Sequence, residues 1–306
     1  MRILLTGGTG LIGRALCKDW HAQGHELTVW SRRPQQVPAL CGGARGIASL
    51  EGLSGDELPD AVVNLAGAPI ADRPWTARRR KLLWDSRVTL TRTLVDWIGK
   101  QQKKPEVLIS GSAVGWYGDG GDRPLDESSP PGRKDFGSRL CIAWEQEAER
   151  AREHGLRVVL LRTAPVLSPE GGMLARLQLP FRLGLGGRLG NGRQWMPWIH
   201  IADEVGLVDH LLRSPACSGP FNACAPQPVR NAEFTRELAR VLRRPAILPA
   251  PAWVLRVALG EMSILLLGGQ RLEPRRALES GYQFRHEELG RALDDIYPYG
   301  GGSGMA

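Results

Sequence analysis

The chain has 306 residues, 42% of them hydrophobic and 24% charged, which excludes a disordered, collagen-like or low-complexity protein. Lys and Arg total 40 against 32 Asp and Glu, a formal charge of +8, and all but six of the bases are Arg. That excess suits nucleic acid, an acidic ligand or a merely soluble surface, and selects none of them.

The five cysteines (Cys17, Cys41, Cys141, Cys217 and Cys224) are widely spaced, odd in number and without a C-x-x-C. This argues against a disulfide framework and a zinc site, and it fits a reducing compartment. The chain opens directly on a strand-like run, with no apolar signal region. The most apolar later stretch, Trp253 to Leu267, is interrupted by Arg256 and Glu261, which falls short of a membrane span. A soluble, cytoplasmic protein without a membrane partner is the expectation.

Ile3–Leu5 is followed by a helical pattern from Leu11 to Ala22, then by the strand-like runs Leu27–Trp30 and Ala61–Leu65. A helix is predicted over Thr76–Lys100. Glu106–Ile109 and Arg157–Leu161 continue the strands, with a helix over Leu140–His154 between them. The runs are apolar without alternation, as in strands covered on both faces, and their alternation with helices predicts βαβ units. The fold class is therefore α/β, a Rossmann doubly wound parallel sheet with a smaller C-terminal substrate lobe. Residues 1–167 form the dinucleotide domain, with the sheet completed by segments of 195–225. The lobe spans 168–297, with helices near Asn231–Leu242, Trp253–Leu267 and Glu287–Ile296. Residues 298–306 read as a glycine-rich, flexible tail.

Thr6-Gly7-Gly8-Thr9-Gly10-Leu11-Ile12-Gly13 lies between the first strand and the first helix. Glycines at 7, 8, 10 and 13 permit a tight turn and close backbone approach to a pyrophosphate. Thr9, Leu11 and Ile12 then bring N–H groups of the helix N-terminus toward it. The second strand ends Trp30-Ser31-Arg32-Arg33, where an NAD site places an acid on the ribose hydroxyls. The nearest acid, Glu26, is at the strand's opening, roughly 16 Å away at about 3.3 Å per residue. A hydroxyl and two guanidinium forks suit a 2′-phosphate instead, so NADP is the expected cofactor, with NADPH preferred over NADH.

The glycine loop, Asn64-Leu65-Ala66-Gly67, Ser110-Gly111-Ser112 and Trp198-Ile199-His200-Ile201-Ala202-Asp203 resemble the extended short-chain dehydrogenases/reductases. More narrowly, the chain is similar to the atypical "epimerase family" branch, through Ser86-Arg87-Val88, Gly115-Trp116-Tyr117-Gly118, Ala143-Trp144-Glu145, Pro197-Trp198-Ile199-His200 and Gly281-Tyr282-Gln283-Phe284. The resemblance covers nearly the whole chain. It implies that Ser31 and Arg32 hold the 2′-phosphate, that Leu65, Ala66 and Gly67 line the adenosine-to-nicotinamide crossing, and that Arg87 faces the cofactor. It also places Pro165 and Val166 near the nicotinamide.

The superfamily's proton relay pairs Tyr-x-x-x-Lys with a Ser. None of the four tyrosines (117, 282, 297 and 299) is followed by Lys at that spacing. By the resemblance, the relay positions fall on Gly137 and Cys141, counted back from Glu145, and Ser112 alone survives. Ser112 and Tyr117 are the candidate catalytic residues. Ser112 has a strand-end cap as its alternative, Tyr117 a pocket-wall aromatic. Cys141 is a weaker substitute and reads better as a buried helix residue. His200, among apolar residues, reads as a core histidine, and with no second ligand at suitable spacing no metal site is expected. Arg78-Arg79-Arg80-Lys81 reads as a solvated helix face without a nucleic-acid module around it. Arg182, Arg188 and Arg193 are candidates to meet a polar or anionic substrate.

The expected function is an NADP(H)-dependent oxidoreductase of atypical type acting on an unassigned small carbonyl or alcohol. The alternative is an NADPH-binding sensor with little turnover. No signal for an oligomeric state is present.

Overall fold

The computed structural model describes residues 1–298; the rest of the expected tail lies outside the described residues. One parallel sheet holds β1 (Arg2–Thr6), β2 (Glu26–Trp30), β3 (Arg45–Ile47), β4 (Ala61–Asn64), β5 (Val107–Ala113), β6 (Arg157–Thr163) and β7 (Gly219–Ala223). Their spatial order is β3-β2-β1-β4-β5-β6-β7. The order reverses beside β1, where Thr6 is in register with Trp30 of β2 on one side and Asn64 of β4 on the other. Ligands of open α/β sheets bind in the crevice beyond the carboxyl ends at such a reversal.

Successive strand residues point to opposite faces, and both faces are covered, so the strands read as unbroken apolar runs. Ile3, Leu5, Val29, Val63, Ile109 and Val159 pack on Leu16, Cys17 and Trp20 of α1 (Leu11–Ala22) and on Leu207 and Leu211 of a later helix. Leu4, Val62, Leu108, Val158 and Leu160 meet Leu94, Val95 and Ile98 on the other face. Each such side chain contributes about 1.5–3 kcal/mol on full burial.

The predicted helix over Thr76–Lys100 is continuous in path but not in type. It comprises α2 (Ala77–Trp84), a π-helical turn over Asp85–Thr89, and α3 (Leu90–Lys100). A π turn inserts a residue and re-aims the side chains around it. The next helix, α4, spans Phe136–Glu149, beginning before Leu140 because the Asp135 carboxylate accepts the Ser138 N–H at 2.9 Å and caps it. β3 was not anticipated, since Arg45-Gly46-Ile47 contains no apolar run.

The second half adds α5 (Gly172–Arg182), α6 (Ile201–Arg213), α7 (Asn231–Leu242), α8 (Ala252–Leu259) and α9 (Leu289–Ile296). Phe181, Trp198, Phe234, Leu238, Leu289 and Leu293 form a separate core for this lobe. The predicted helix over Trp253–Leu267 divides into α8, a 3-10 turn and a short helix over Ile264–Leu267. α8 buries no residue and leaves Trp253 and Val257 exposed. Among the described residues, no helix is long and apolar enough to cross a membrane.

Candidate functional site

The glycine loop is a backbone cradle. Gly7 has φ +75°, and a Cβ there would lie 2.6 Å from the Leu65 carbonyl carbon; a Cβ on Gly13 would lie 2.6 Å from the Cα of Gly8. Side chains are thus excluded where the first turn of α1 meets the loop. That turn has no side-chain cap and no acidic residue, so its N–H groups and the positive end of its dipole are left for an anion. The arrangement fits a pyrophosphate: the Gly10 N–H closes the turn onto the Gly7 carbonyl at 2.9 Å, and the N–H groups of the first helical residues, Leu11 and Ile12, face the cradle's mouth without a side-chain cap.

At the end of β2, the Ser31 hydroxyl accepts the Arg33 N–H at 3.1 Å, which folds the chain back beside the cradle. Arg32 and Arg33 are exposed, and no described carboxylate pairs with either. Two free forks beside a hydroxyl fit a phosphate monoester.

The end of β4 is held by a buried network. Thr6 Oγ1 donates to Asn64 Oδ1 at 2.7 Å and accepts the Ala66 N–H at 3.1 Å. Asn64 Nδ2 donates to Thr91 Oγ1 at 2.8 Å and Ser110 Oγ at 3.2 Å, while Trp144 Nε1 donates to Thr91 Oγ1 at 2.9 Å. These bonds tie β1, β4, β5, α3 and α4 together and set the path of Leu65-Ala66-Gly67. Ser86, in the π turn, accepts the Ala68 N–H at 3.0 Å, and Arg87 of the same turn lies against Gly67.

Beyond β5 and β6 lies a second buried polar assembly. Ser112 Oγ donates to Glu145 Oε1 at 2.6 Å. Both oxygens of Glu145 accept from Arg162, Nε and Nη2 each at 2.9 Å, with both side chains only 3% exposed. Arg162 Nη1 also donates to the Tyr117 hydroxyl at 3.0 Å, and that hydroxyl donates to Asn222 Oδ1 at 2.6 Å. Trp116 stacks on the Arg162 guanidinium at 4.0 Å from its centroid. Ser112 and Tyr117 therefore belong to one network, joined through an arginine that sequence reasoning missed. Tyr117, expected at the reacting centre, is instead 4% exposed with its hydroxyl engaged on both sides. Burial pushes that phenol well above its ordinary range, so it stays protonated and donates to Asn222.

Gly137 and Cys141, at the positions the resemblance aligns with the relay, are both buried on α4. Burial pushes the Cys141 thiol up to about 12, which leaves it a protonated helix residue. Pro165 and Val166 follow β6; Pro165 is exposed, and its carbonyl accepts the Ile199 N–H at 3.2 Å, fastening the lobe to the sheet.

In the basic run of α2, Arg78 and Lys81 are exposed as expected, whereas Arg79 and Arg80 are partly buried. Arg79 donates to the Pro69 carbonyl, and Arg80 pairs with Glu261 at 2.5 Å and donates to the Trp75 carbonyl at 2.9 Å. Arg182, Arg188 and Arg193 are all exposed. His200 is brought within reach of Asp203 and His286, with ligand atoms within 4.8 Å of one another, a proximity invisible at their spacing in sequence. Yet His200 Nδ1 accepts the Ala202 N–H at 3.2 Å, capping α6. The ring proton of the neutral form then sits on Nε2, the atom a metal would need. Burial lowers this imidazole to about 4, so the ring is neutral and caps α6 through Nδ1, while Nε2 is buried without a hydrogen-bond partner.

Comparison with known proteins agrees with this geometry. Residues 3–224 match the model of the NAD dependent epimerase/dehydratase family, and residues 250–296 match a domain of unknown function, DUF1731. The mouse epimerase family protein SDR39U1 is 40% identical over 299 residues, covering 97% of this chain and 99% of the relative. Epimerase family protein YfhF of Bacillus subtilis is 36% identical over 303 residues, covering 97% and 98%. The crystal structure of human SDR39U1 (isoform 2) with NADPH superposes with a TM-score of 0.86 at 37% identity, covering 97% of this chain and 99% of that one. The chain belongs to the NAD dependent epimerase/dehydratase family, within the extended short-chain dehydrogenases/reductases, alongside the SDR39U1 proteins.

Proposed function

We propose that the protein is an NADP(H)-dependent oxidoreductase of atypical short-chain dehydrogenase/reductase type, acting on a small carbonyl or alcohol. The observation that carries this reading is the side-chain-free cradle under an uncapped, acid-free helix N-terminus, flanked by unpaired Arg32 and Arg33. The NADPH in the similar human structure supports it. Gly7, Thr9, Gly10, Leu11, Ile12 and Gly13 would hold the pyrophosphate, and Ser31, Arg32 and Arg33 the 2′-phosphate. Leu65, Ala66, Gly67, Pro165 and Val166 would line the path to the nicotinamide, with Arg87, which lies against Gly67, facing the cofactor. When bound, the cofactor supplies or accepts hydride.

The chain's own chemistry centres on Ser112. Its proton is committed to Glu145, which leaves the lone pairs of Oγ to accept a hydrogen bond from a substrate hydroxyl. Arg162, Tyr117 and Asn222 fix the Glu145 carboxylate and so act as positioning residues. A fluorescence titration tests the cofactor assignment: NADPH should bind at least about tenfold tighter than NADH, the effect of one charge-assisted phosphate contact. Equal affinities would overturn it.

The second reading, an NADPH-binding sensor, is favoured by the missing Tyr-x-x-x-Lys and by the engagement of Tyr117 on both sides. A screen of aldehydes, ketones and sugar nucleotides, followed at the nicotinamide absorbance, separates the two. Turnover lost in Ser112→Ala supports the enzyme; tight NADPH binding without turnover supports the sensor. The partner is read as a small molecule rather than nucleic acid, because Arg79 and Arg80 are turned inward onto Pro69, Trp75 and Glu261.

A further inference from the structure

We propose that the exposed apolar face of the C-terminal lobe, formed by the end of α5, the loop before α8 and α8 itself, docks on a lipid bilayer carrying anionic headgroups. This departs from the expectation of no membrane partner. That expectation measured Trp253–Leu267 against a membrane span, whereas lying on a surface needs only an apolar face bordered by cations. The inference stands apart from the NADP(H) reading.

Among the described residues, fourteen large apolar side chains are exposed, and nine of them fall in 179–185 and 247–265. Leu179 and Leu183 stand one turn apart at the end of α5 and are exposed, while Phe181 between them is buried in the lobe's core. On α8, Trp253 and Val257 lie four residues apart on one helical side and are 68% and 81% exposed. Single exposed apolar residues are ordinary, but a cluster of them marks an interaction surface.

Backbone bonds hold the two stretches together. The Leu248 N–H donates to the Gly186 carbonyl at 3.3 Å, the Ala250 N–H to that of Arg188 at 2.9 Å, and the Gly190 N–H to that of Ala250 at 2.8 Å. A Cβ on Gly187 would lie 1.8 Å from the Leu248 carbonyl oxygen, so the chains pass in direct contact. The exposed side chains of Leu185, Ile247 and Leu248 thus belong to the same surface as the start of α8.

Charge selects the occupant. Residues 172–193 and 242–259 hold seven arginines and no Asp, Glu or Lys. Arg176 pairs with Asp72. Arg182, Arg188 and Arg256 are exposed, and among the described residues no carboxylate pairs with them. A second copy of the chain, docked face to face about a twofold axis, would set these arginines against one another. A soluble acidic protein would need a carboxylate placed opposite each. Anionic headgroups are fluid and meet the cations wherever they stand, while Trp253 and the aliphatic side chains enter the boundary of the acyl region. Arg182 and Arg188, candidates in the sequence for an anionic substrate, are here assigned to headgroups.

The test is sedimentation of the full chain with phosphatidylcholine vesicles, with and without phosphatidylglycerol, at low and high salt. Wild type should bind the anionic vesicles at least about tenfold more tightly than the neutral ones at low salt, and should release them at high salt. Arg182→Gln with Arg188→Gln should weaken binding about 10- to 30-fold, at about fivefold per cation. Trp253→Ala with Val257→Ser should weaken it about tenfold. Leu278→Ser, exposed elsewhere, should leave it unchanged. Brominated lipid should quench tryptophan emission less in Trp253→Phe than in wild type, a comparison required by the ten tryptophans of the chain. Urea midpoints check that each variant folds; if the α8 variant does not, the arginine variant and the quenching decide. Wild type that binds no vesicles, or binds neutral and anionic ones alike, overturns the proposal. So does binding that survives both double variants, falls equally in Leu278→Ser, or brings no difference in quenching. A wild-type dimer in light scattering that Val257→Asp dissociates also overturns it, because a second copy then covers the face. Failure to bind NADPH would sink the cofactor reading and leave this inference standing.

Discussion

The two ends of the crevice are built on opposite plans. At the proposed cofactor end the candidate groups are backbone N–H donors and exposed arginines contributed mostly by one stretch, residues 7–33. At the proposed substrate end the candidate groups are side chains buried in one assembly: Ser112, Glu145, Arg162, Tyr117 and Asn222. The first plan costs little stability, since exposed cations stay hydrated and the glycines need only their own conformational freedom. The second takes an ion pair out of water, and its worth depends on every partner being present. Arg87 falls between the plans: desolvated like Arg162, unpaired like Arg32.

The contrast is most directly broken at the ion pair. Glu145→Leu should destabilise the protein by about 3–5 kcal/mol in urea unfolding, by stranding Arg162, with the Glu145→Leu, Arg162→Met double variant recovering part of the loss. A double variant no more stable than the single would show that the pair is not a unit.

Glu204 provides a pH test in the same half of the molecule. Its carboxyl is buried, accepts only from Thr163 Oγ1 at 2.9 Å, and is pushed up by burial to about 8. Between an unfolded value near 4.5 and about 8, the folded protein holds a proton that the unfolded chain releases. This contribution to stability is therefore complete below about pH 4.5 and is lost as pH rises through about 8. Glu204→Gln should flatten that decline in urea midpoints measured across the window. An unchanged slope would assign the decline to other groups.

The smallest expected effect is at the cofactor end. Arg32→Ala should weaken NADPH about 10- to 150-fold, the worth of one charge-assisted contact, leave NADH unchanged and leave the unfolding midpoint within about 0.5 kcal/mol of wild type. A matching loss for NADH would place Arg32 on a feature common to both dinucleotides.

What could be read in advance follows the same division. The cradle, the basic end of β2 and the strands β1, β4, β5 and β6 are contiguous patterns, each set by local backbone demands or by two-faced burial. β3 was missed because its pairing with β2, Thr28 opposite Arg45 through Trp30 opposite Ile47, rather than apolarity, makes it a strand. The early start of α4 was legible in Asp135 and Ser138, a capping pair overlooked before the apolar run. The π turn has no local signature; in the fold its Ser86 accepts the Ala68 N–H across the loop.

The sequence by itself determined the fold class and the phosphate-binding end, because turn geometry, helix termini and alternating burial are properties of neighbours along the chain. Only the tertiary structure decided that Glu145 pairs with Arg162, that Tyr117 is closed off by Asn222, and that Arg87 has no carboxylate to meet. These are facts about charge in a low-dielectric interior. The side-chain partners of the buried Arg162 lie 17 to 45 positions away in the chain, and no local pattern carries that information.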